Sequence, residues 1–372
     1  MTVSINGTSG IVFNDASTQN TAATGFGFKN RILNGQMQID QRGTATTPVT
    51  VDGTNGIYTL DRWLASDQTD GVFTVQRSTT APAGYINSLL VTITTADTSL
   101  AATQRSFVAQ YIEGLNCADL GWGTASAATV TLSFWVRSSL TGTFGGSLYN
   151  SAEDRSYPFT YTISAANTWE QKSVTVAGDT SGTWLTTNGI GIAVGFNLGT
   201  GSTYTGTAGA WAATRYYSAT GATSVIGTLN ATFYITGVQL EKGSTATSFD
   251  YRPYTTELQL CQRYCYQVTS VGGTDGYVRY AVGECVSTVV MDSVIPFPVQ
   301  MRITPSLTTP AASQFAATNS VIAGTAISLL AGSGVNTAGV RLTVASGLTV
   351  GRAGQLMSNN NNTSYLLFSS EL

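Results

Sequence analysis

Apolar and polar residues alternate with a period of two along most of the chain, and helical periodicity is almost absent. The segment ATVTLSFWVRSS at 128–139 shows the pattern clearly. One face would carry Val130, Leu132, Phe134 and Val136. The other face would carry Thr129, Thr131, Ser133, Trp135 and Arg137. Such alternation predicts an antiparallel strand with one buried face.

The same rhythm returns in LLVTITT at 89–95, YPFTYTI at 157–163 and GIGIAVGFNLG at 189–199. Clusters of Gly, Asn, Asp, Ser and Pro between these segments are typical of turns. Many strands at short spacing predict an all-β protein built as a β-sandwich or jelly roll.

The segment TFYITGVQLEKGSTATSFDYRP at 232–253 raises the question whether Glu241 is catalytic or structural. Its apolar alternation slips by one residue at Gly237, and a β-bulge there would keep the apolar side chains on the inner face. We expect Glu241 to hold the following turn or to pair with an arginine such as Arg252, because buried polar groups at a sheet edge need partners.

These patterns divide the chain into four parts. Residues 1–29 are too poor in apolar side chains to bury a core alone, so we expect an extended N-terminal arm that docks on another protein. Residues 30–253 are predicted to form the large jelly-roll or sandwich domain, and 254–263 a short helical linker. Residues 264–372 are predicted to form a second, smaller β-sandwich domain.

The composition argues against several classes of function. Only 10% of the 372 residues are charged, against about 25% in an ordinary globular domain, and the formal net charge is -3. No basic cluster is present, so nucleic-acid binding is disfavoured. No apolar run approaches a membrane span and the start of the sequence lacks a signal-peptide pattern, so neither membrane insertion nor export by that route is expected.

The chain contains no histidine, which removes Ser-His-Asp and Cys-His catalysis and His-ligated zinc. Its four cysteines are irregularly spaced and are interpreted as reduced, buried thiols. No metal ligands and no cofactor are predicted, although a calcium ion held by backbone carbonyls and single Asp residues stays open.

The chain contains the segments NRILNGQMQIDQRG at 30–43, YTLDRW at 58–63, QYIEGLN at 110–116, SFWVRSSLTGTF at 133–144, GVQLEKGSTATSFDYRP at 237–253, ELQLCQRY at 257–264 and FPVQMRITPSLT at 297–308. Together these segments resemble tail-fibre and related virion appendage proteins of tailed bacteriophages. The N-terminal GIVFNDASTQNTAA at 10–23 resembles the short anchoring segment of such fibres.

The resemblance implies a virion component, made in the host cytoplasm and most commonly placed on the tail, that assembles as a homotrimer and attaches the particle to its host. Under it, residues 1–29 would dock on other virion proteins through Ile5, Ile11, Val12 and Phe13. A head fibre or an adaptor without a receptor of its own is the alternative.

A host cell-surface glycan is the expected receptor, and the segment at 202–224 is the predicted contact. It interleaves small residues with Tyr204, Trp211, Arg215, Tyr216 and Tyr217. Aromatic rings stack on the apolar faces of sugars, and arginine bonds hydroxyls or acidic substituents. The same side chains could instead pack on the sandwich or at a subunit interface, where they are also enriched. The tip NNNNTS at 359–364 is a further possible contact or a solvated turn.

An enzyme is not predicted. A depolymerase would need two carboxyl groups roughly 5 to 10 Å apart across a cleft. Glu153 and Asp154 are adjacent in a loop, where neighbouring side chains point to opposite sides. Asp61, Glu113 and Glu241 each stand at a strand end or turn with a cation nearby. Polysaccharide cleavage therefore remains only a lesser alternative to binding.

Overall fold

The computed structural model describes residues 28–45, 47–272, 276–317 and 321–372, together with the backbone of three short strands before residue 28. Those strands are β1 (Ser4–Asn6), β2 (Gly10–Val12) and β3 (Thr18–Gln19), which pair in an antiparallel sheet. The side chains of Ile5, Ile11 and Val12 and the whole of Phe13 lie outside the described residues, so their docking role stays a prediction.

Two six-stranded antiparallel sheets form the first domain. In spatial order, sheet I contains β13 (Glu170–Val176), β10 (Val130–Ser138), β17 (Thr232–Lys242), β8 (Ser88–Thr95), β7 (Val72–Ser78) and β4 (Val49–Val51). Sheet II contains β12 (Ser156–Ile163), β11 (Gly142–Tyr149), β14 (Ile190–Thr200), β9 (Arg105–Glu113), β6 (Leu64–Asp67) and β5 (Ile57–Tyr58). The expected all-β sandwich with jelly-roll character is confirmed.

The core lies between the two sheets and is filled by the residues that the alternation placed inward. Phe196 of β14 stands at its centre, with ring centroids 5.0 Å from Phe134, 6.3 Å from Phe159 and 6.4 Å from Trp63. All four side chains are essentially inaccessible to solvent. Aromatic contacts of this kind add to the stabilisation that burial of apolar area provides.

A bulge occurs in β17 at the predicted place. Gly237 has φ +60°, and the pairing of β10 with β17 shifts between Ser133 and Trp135. The shift lets Phe233 and Ile235 before it and Val238 and Leu240 after it all point inward. Only glycine adopts this left-handed conformation at little cost, which explains the residue.

The second domain follows a single helix, α1 (Tyr254–Gln262), which lies where the linker was predicted. A three-stranded sheet contains β18 (Cys265–Thr269), β26 (Tyr365–Ser369) and β21 (Ser306–Thr308). A closed barrel contains β19 (Arg279–Cys285), β20 (Val290–Pro296), β24 (Thr337–Val344), β23 (Ile322–Leu329), β22 (Phe315–Ala317) and β25 (Ala353–Ser358). Residues 264–372 were expected to form a small β-sandwich, but six of their strands close into a barrel, in which no strand keeps a free edge.

Short elements complete the chain. Two-residue strands β15 (Thr205–Gly206) and β16 (Ser218–Ala219) pair in parallel within the loop between β14 and β17. Single 3₁₀ turns occupy Gly114–Asn116, Ala118–Leu120, Ser202–Tyr204 and Ala312–Gln314. No helix in the described part of the chain is long and apolar enough to cross a membrane.

Candidate carbohydrate-binding surfaces

Each sheet of the sandwich has an outer face that points away from the core, and the two outer faces differ. On sheet II, alternation along β9 turns Val108 and Ile112 inward, and Arg105, Phe107 and Tyr111 outward. The loop at 201–220 lies across one end of this face. Its backbone is tied to β12, since Gly209 N donates to Pro158 O at 2.9 Å.

Four of the five predicted glycan residues meet in this loop. Tyr217 is only 2% exposed and stacks on Phe107, with ring centroids 4.8 Å apart and an interplanar angle of 21°. Tyr204 meets the Tyr217 ring edge-on at 5.6 Å. The Arg215 guanidinium lies 4.4 Å from the centre of the same ring, and Tyr216 packs over Gly206. Tyr217 therefore attaches the loop to the sheet and offers no ring face to a ligand.

The fifth residue, Trp211, belongs to a separate tryptophan cluster. Its ring centroid lies 5.4 Å from both Trp122 and Trp184, which are themselves 4.7 Å apart. The indole N–H donates to Ala177 O at 2.8 Å, and Tyr157 packs against the ring at 5.2 Å. The indole N–H of Trp211 is therefore already hydrogen-bonded and its ring is partly covered. This agrees with the alternative that these side chains pack on the sandwich.

Two charged residues of this surface escaped the sequence-based prediction. Arg105 lies 5.0 Å from the Tyr204 ring centre and 5.1 Å from that of Tyr217. Glu153 forms an ion pair with Arg215 across the loop. Neither residue stands in a recognisable sequence motif. Each is at least 62 residues away from its partner in the sequence, and only the folded chain brings them together.

The outer face of sheet I is open and carries another group of aromatic side chains. Strand pairing aligns Arg137 with Tyr234, Tyr234 with Leu90, and Leu90 with Gln76 in one row across four strands. The Arg137 guanidinium lies 4.9 Å from the Tyr234 ring centre. Trp169 meets the same ring edge-on at 6.0 Å.

Trp135 and Gln171 form a neighbouring row on the same face. We call this surface the sheet I platform, defined by its partly exposed residues Gln76, Leu90, Trp135, Arg137, Trp169, Gln171 and Tyr234. The alternation in 128–139 had already turned Trp135 and Arg137 away from the core. This alternation indicates that the outer face of the strand carries Trp135 and Arg137, but only the strand order brings Trp169 and Tyr234 beside them.

Tyr85 closes one side of the platform. It packs over the bulge at Gly237, where an added Cβ would come within 2.8 Å of its ring. Its ring centroid lies 5.8 Å from Tyr251, whose hydroxyl donates to Gly84 O at 3.1 Å. Burial and the Tyr251 hydroxyl raise the pKa of Tyr85, while its hydrogen bond with Trp135 acts in the opposite direction.

The buried carboxylates form structural contacts. Glu241 accepts hydrogen bonds from Gln239 Nε2 and Thr247 N, each at 2.8 Å, so it holds the turn that follows β17, as expected. The suggested pairing of Glu241 with Arg252 is wrong. Arg252 instead lies 3.1 Å from Glu257, an i to i+5 neighbour on α1.

A second set of charges joins the domains. Glu113, at the end of β9, accepts hydrogen bonds from Arg263 Nε at 2.8 Å and Arg263 Nη2 at 2.6 Å, and it also contacts the Tyr264 hydroxyl. Burial alone would raise the pKa of Glu113, but these hydrogen bonds outweigh it and hold that pKa below its usual range.

The cysteines behave as buried thiols. All four are free and buried, and burial raises the pKa of Cys117 to about 12. Cys265 is the first residue of β18, so it does not share a helical face with Cys261. Within the described residues, no three His, Cys, Asp or Glu side chains converge as a metal site.

Comparison with known proteins gives no assignment by sequence. No protein-family model matches the chain. No curated protein matches it either.

Among solved structures, the chain is similar to the enzymatically active domain of tailspike protein 4 from bacteriophage CBA120, at 10% identity and a TM-score of 0.31. That match covers 58% of this chain but only 22% of the tailspike chain. A family 11 carbohydrate-binding module from Clostridium thermocellum, in complex with a mixed-linked tetrasaccharide, is 11% identical over 54% of this chain and 98% of the module, with a TM-score of 0.27.

A xylan-binding domain from Paenibacillus barcinonensis is 9% identical over 53% of this chain and 95% of that domain, with a TM-score of 0.24. Likenesses of this strength assign no function.

Proposed function

We propose that the chain is a non-enzymatic virion appendage protein of a tailed phage that binds a cell-surface glycan on the sheet I platform. The observation that supports this most directly is the group of partly exposed rings of Trp135, Trp169 and Tyr234 on an uncovered sheet face. Rings that lie on a rigid sheet stack on the apolar faces of sugar rings without first being ordered.

The polar groups around the rings suit sugar hydroxyls. The amides of Gln76 and Gln171 each supply donors and an acceptor, and Thr92 adds a hydroxyl in the next row. The only charge within the platform is that of Arg137, whose Nε donates to Asn167 O at 2.9 Å. A mostly uncharged surface with paired donors and acceptors fits a polyhydroxylated ligand better than an ionic one.

Binding to an array of neutral bacterial polysaccharides tests the platform. Tyr234→Ala and Trp169→Ala should each weaken binding about 3- to 10-fold, because an aromatic stacking contact contributes about 0.5 to 1.5 kcal/mol. Tyr365→Ala, which removes a half-buried tyrosine of β26, is the matched control and should bind as wild type does. Equal binding by all four proteins would remove the platform from the proposal.

The absence of catalysis is supported by the contacts of the acids. Glu113, Glu241 and Asp61 are each nearly inaccessible to solvent and engaged in hydrogen bonds within the fold. We expect no release of reducing ends when the protein is incubated with envelope polysaccharide of a host. Measurable release would replace a binding function with a depolymerase.

Self-association is part of the proposal, and the barrel offers a surface for it. Val282 on β19 and Val294 on β20 are 67% and 59% exposed, and each adjoins the paired residues Gly283 and Ser293. Several weak glycan sites on one assembly would act at high effective concentration. Light scattering at micromolar concentration should give the mass of three chains, and a monomer would contradict the trimer.

The place on the particle rests on the resemblance of the sequence motifs to tail fibres. Antibody labelling of intact particles should mark the tail. Labelling of the head would favour the alternative of a head fibre or adaptor.

A further inference from the structure

Arg105 differs from most arginines in the described part of the chain because it has no acidic partner. Nine others lie within 4.0 Å of a carboxylate, among them Arg155 with Asp179 at 2.7 Å and Arg341 with Asp292 at 2.7 Å. The guanidinium of Arg105 is instead held by the rings of Tyr204 and Tyr217, at 5.0 and 5.1 Å. Aromatic rings orient a cation without neutralising it.

A second guanidinium lies close to the first. Arg215 stands over the same Tyr217 ring at 4.4 Å, and its one carboxylate partner is Glu153. Burial lowers the pKa of Arg215, Glu153 raises it, and the charge of Arg105 lowers it further. The carboxylate of Glu153 therefore offsets only one of the two guanidinium charges, which leaves a local charge of +1.

Tyrosine side chains lie around Arg215, whose guanidinium is also 5.9 Å from the Tyr149 ring centre. Burial raises the pKa of Tyr111, while a hydrogen bond with Tyr149 and the charges of Arg215 and Arg105 act to lower it. The hydroxyl of Tyr217 is buried and has no hydrogen-bond partner among the described residues. Guanidinium groups with an excess of positive charge are the chemistry that recognises an anionic group on a sugar.

We propose that Arg105 and Arg215 bind the carboxylate of an acidic sugar on the outer face of sheet II. This inference rests on the proposed glycan-binding function and assigns it a second contact, on the face opposite the sheet I platform. A planar guanidinium suits the two oxygens of a carboxylate. Glu153 competes for Arg215 and so weakens the site.

Calorimetry with galacturonic acid oligomers and galactose oligomers of equal length tests the inference. Wild type should bind the acidic oligomer about tenfold more tightly or better, and added salt should reduce the difference. Arg105→Ala should remove this preference while leaving binding of the neutral oligomer unchanged. Arg105→Lys should restore it only in part, because an ammonium lacks the bidentate geometry.

Glu153→Gln acts in the opposite direction. It removes the competing carboxylate, so the acidic oligomer should bind about 2- to 5-fold more tightly to this variant than to wild type. Arg279→Ala, which removes an exposed arginine of the barrel that bonds Gln355, is the charge-matched control and should behave as wild type. Thermal melting of each variant checks that it is folded.

The outcomes separate the two proposals. Binding of the neutral oligomer without an acidic preference would overturn this inference and leave the proposed function standing. Binding of neither oligomer would also overturn this inference, and the polysaccharide array described above decides the proposed function separately. Inorganic phosphate included as a competitor identifies the anion. If phosphate displaces the bound acidic oligomer at the same concentration as galacturonate does, the site binds anions in general. That result would overturn the assignment to an acidic sugar.

Discussion

The outer face of sheet II is covered at both ends, whereas the outer face of sheet I is open. On sheet II, Phe107 lies beneath Tyr217 of the loop, and Glu113 at the other end of the same strand bonds to Arg263, the last residue of the linker to the second domain. On sheet I, Trp169 and Tyr234 are partly exposed, and their ring contacts are with each other. Aromatic rings thus stabilise the fold on the outer face of sheet II and remain available for stacking on a ligand on the outer face of sheet I.

The comparison teaches that aromatic composition alone does not identify a binding surface. The segment at 202–224 is rich in tyrosine, tryptophan and arginine, yet most of its rings are used to attach the loop. The platform is spread over β7, β8, β10, β13 and β17 and the turn before β13, and no single segment of the sequence is unusually rich in its residues. Whether a ring is free depends on what covers it, which is a property of the assembled fold.

The largest expected difference is between two tyrosines. Tyr217→Ala should lower the free energy of unfolding by about 3 to 4 kcal/mol, because it removes a buried ring and leaves a cavity over Phe107. Tyr234→Ala should lower it by less than about 1 kcal/mol, since its ring is partly in solvent. Urea unfolding of both variants measures this, and equal losses would show that the two faces are packed alike.

A smaller effect is expected where the loop touches the sheet. A Cβ added at Gly145 would lie 2.2 Å from Ser218 Oγ, so Gly145→Ala should destabilise the protein by about 1 to 3 kcal/mol through overpacking. Thr92→Ile adds volume to the open face and should change stability by no more than about 0.5 kcal/mol. Thermal unfolding compares the two variants. If Gly145→Ala leaves the stability unchanged, the loop shifts easily to make room for the added Cβ.

The smallest expected effect concerns acid and the second domain. The folded pKa of Glu113 lies below its unfolded value of about 4.3, so its stabilising contribution is complete at neutral pH and is lost as the pH falls through the folded pKa. Glu113→Gln should be less stable than wild type at pH 7 by about 1 to 2 kcal/mol.

That difference should close as the pH falls through the lowered pKa of Glu113, where the wild-type carboxyl also becomes protonated. Urea unfolding of both proteins at a series of pH values from 7 downward measures it. A difference that does not depend on pH would show that Glu113 acts through its shape and not through its charge.

Local reasoning predicted much of the fold. The strand at 128–139, its inward residues and the bulge at Gly237 all followed from the period of two, because that period is a property of the extended backbone itself. The closure of the second domain into a barrel did not follow, since β22 and β25 meet through contacts that are distant in sequence. A short alternating segment looks the same in a sandwich and in a barrel.

For the candidate site, the sequence determined which side chains exist and which of them leave the core. Trp135 and Arg137 point outward by alternation, and Tyr204 and Arg215 stand in a loop that is rich in small residues. Tertiary structure alone decided that Tyr217 is buried, that Arg105 lies between two rings and that Trp169 reaches Tyr234. The physical reason is that exposure and charge pairing arise from strand order and loop placement, which join residues far apart in the chain.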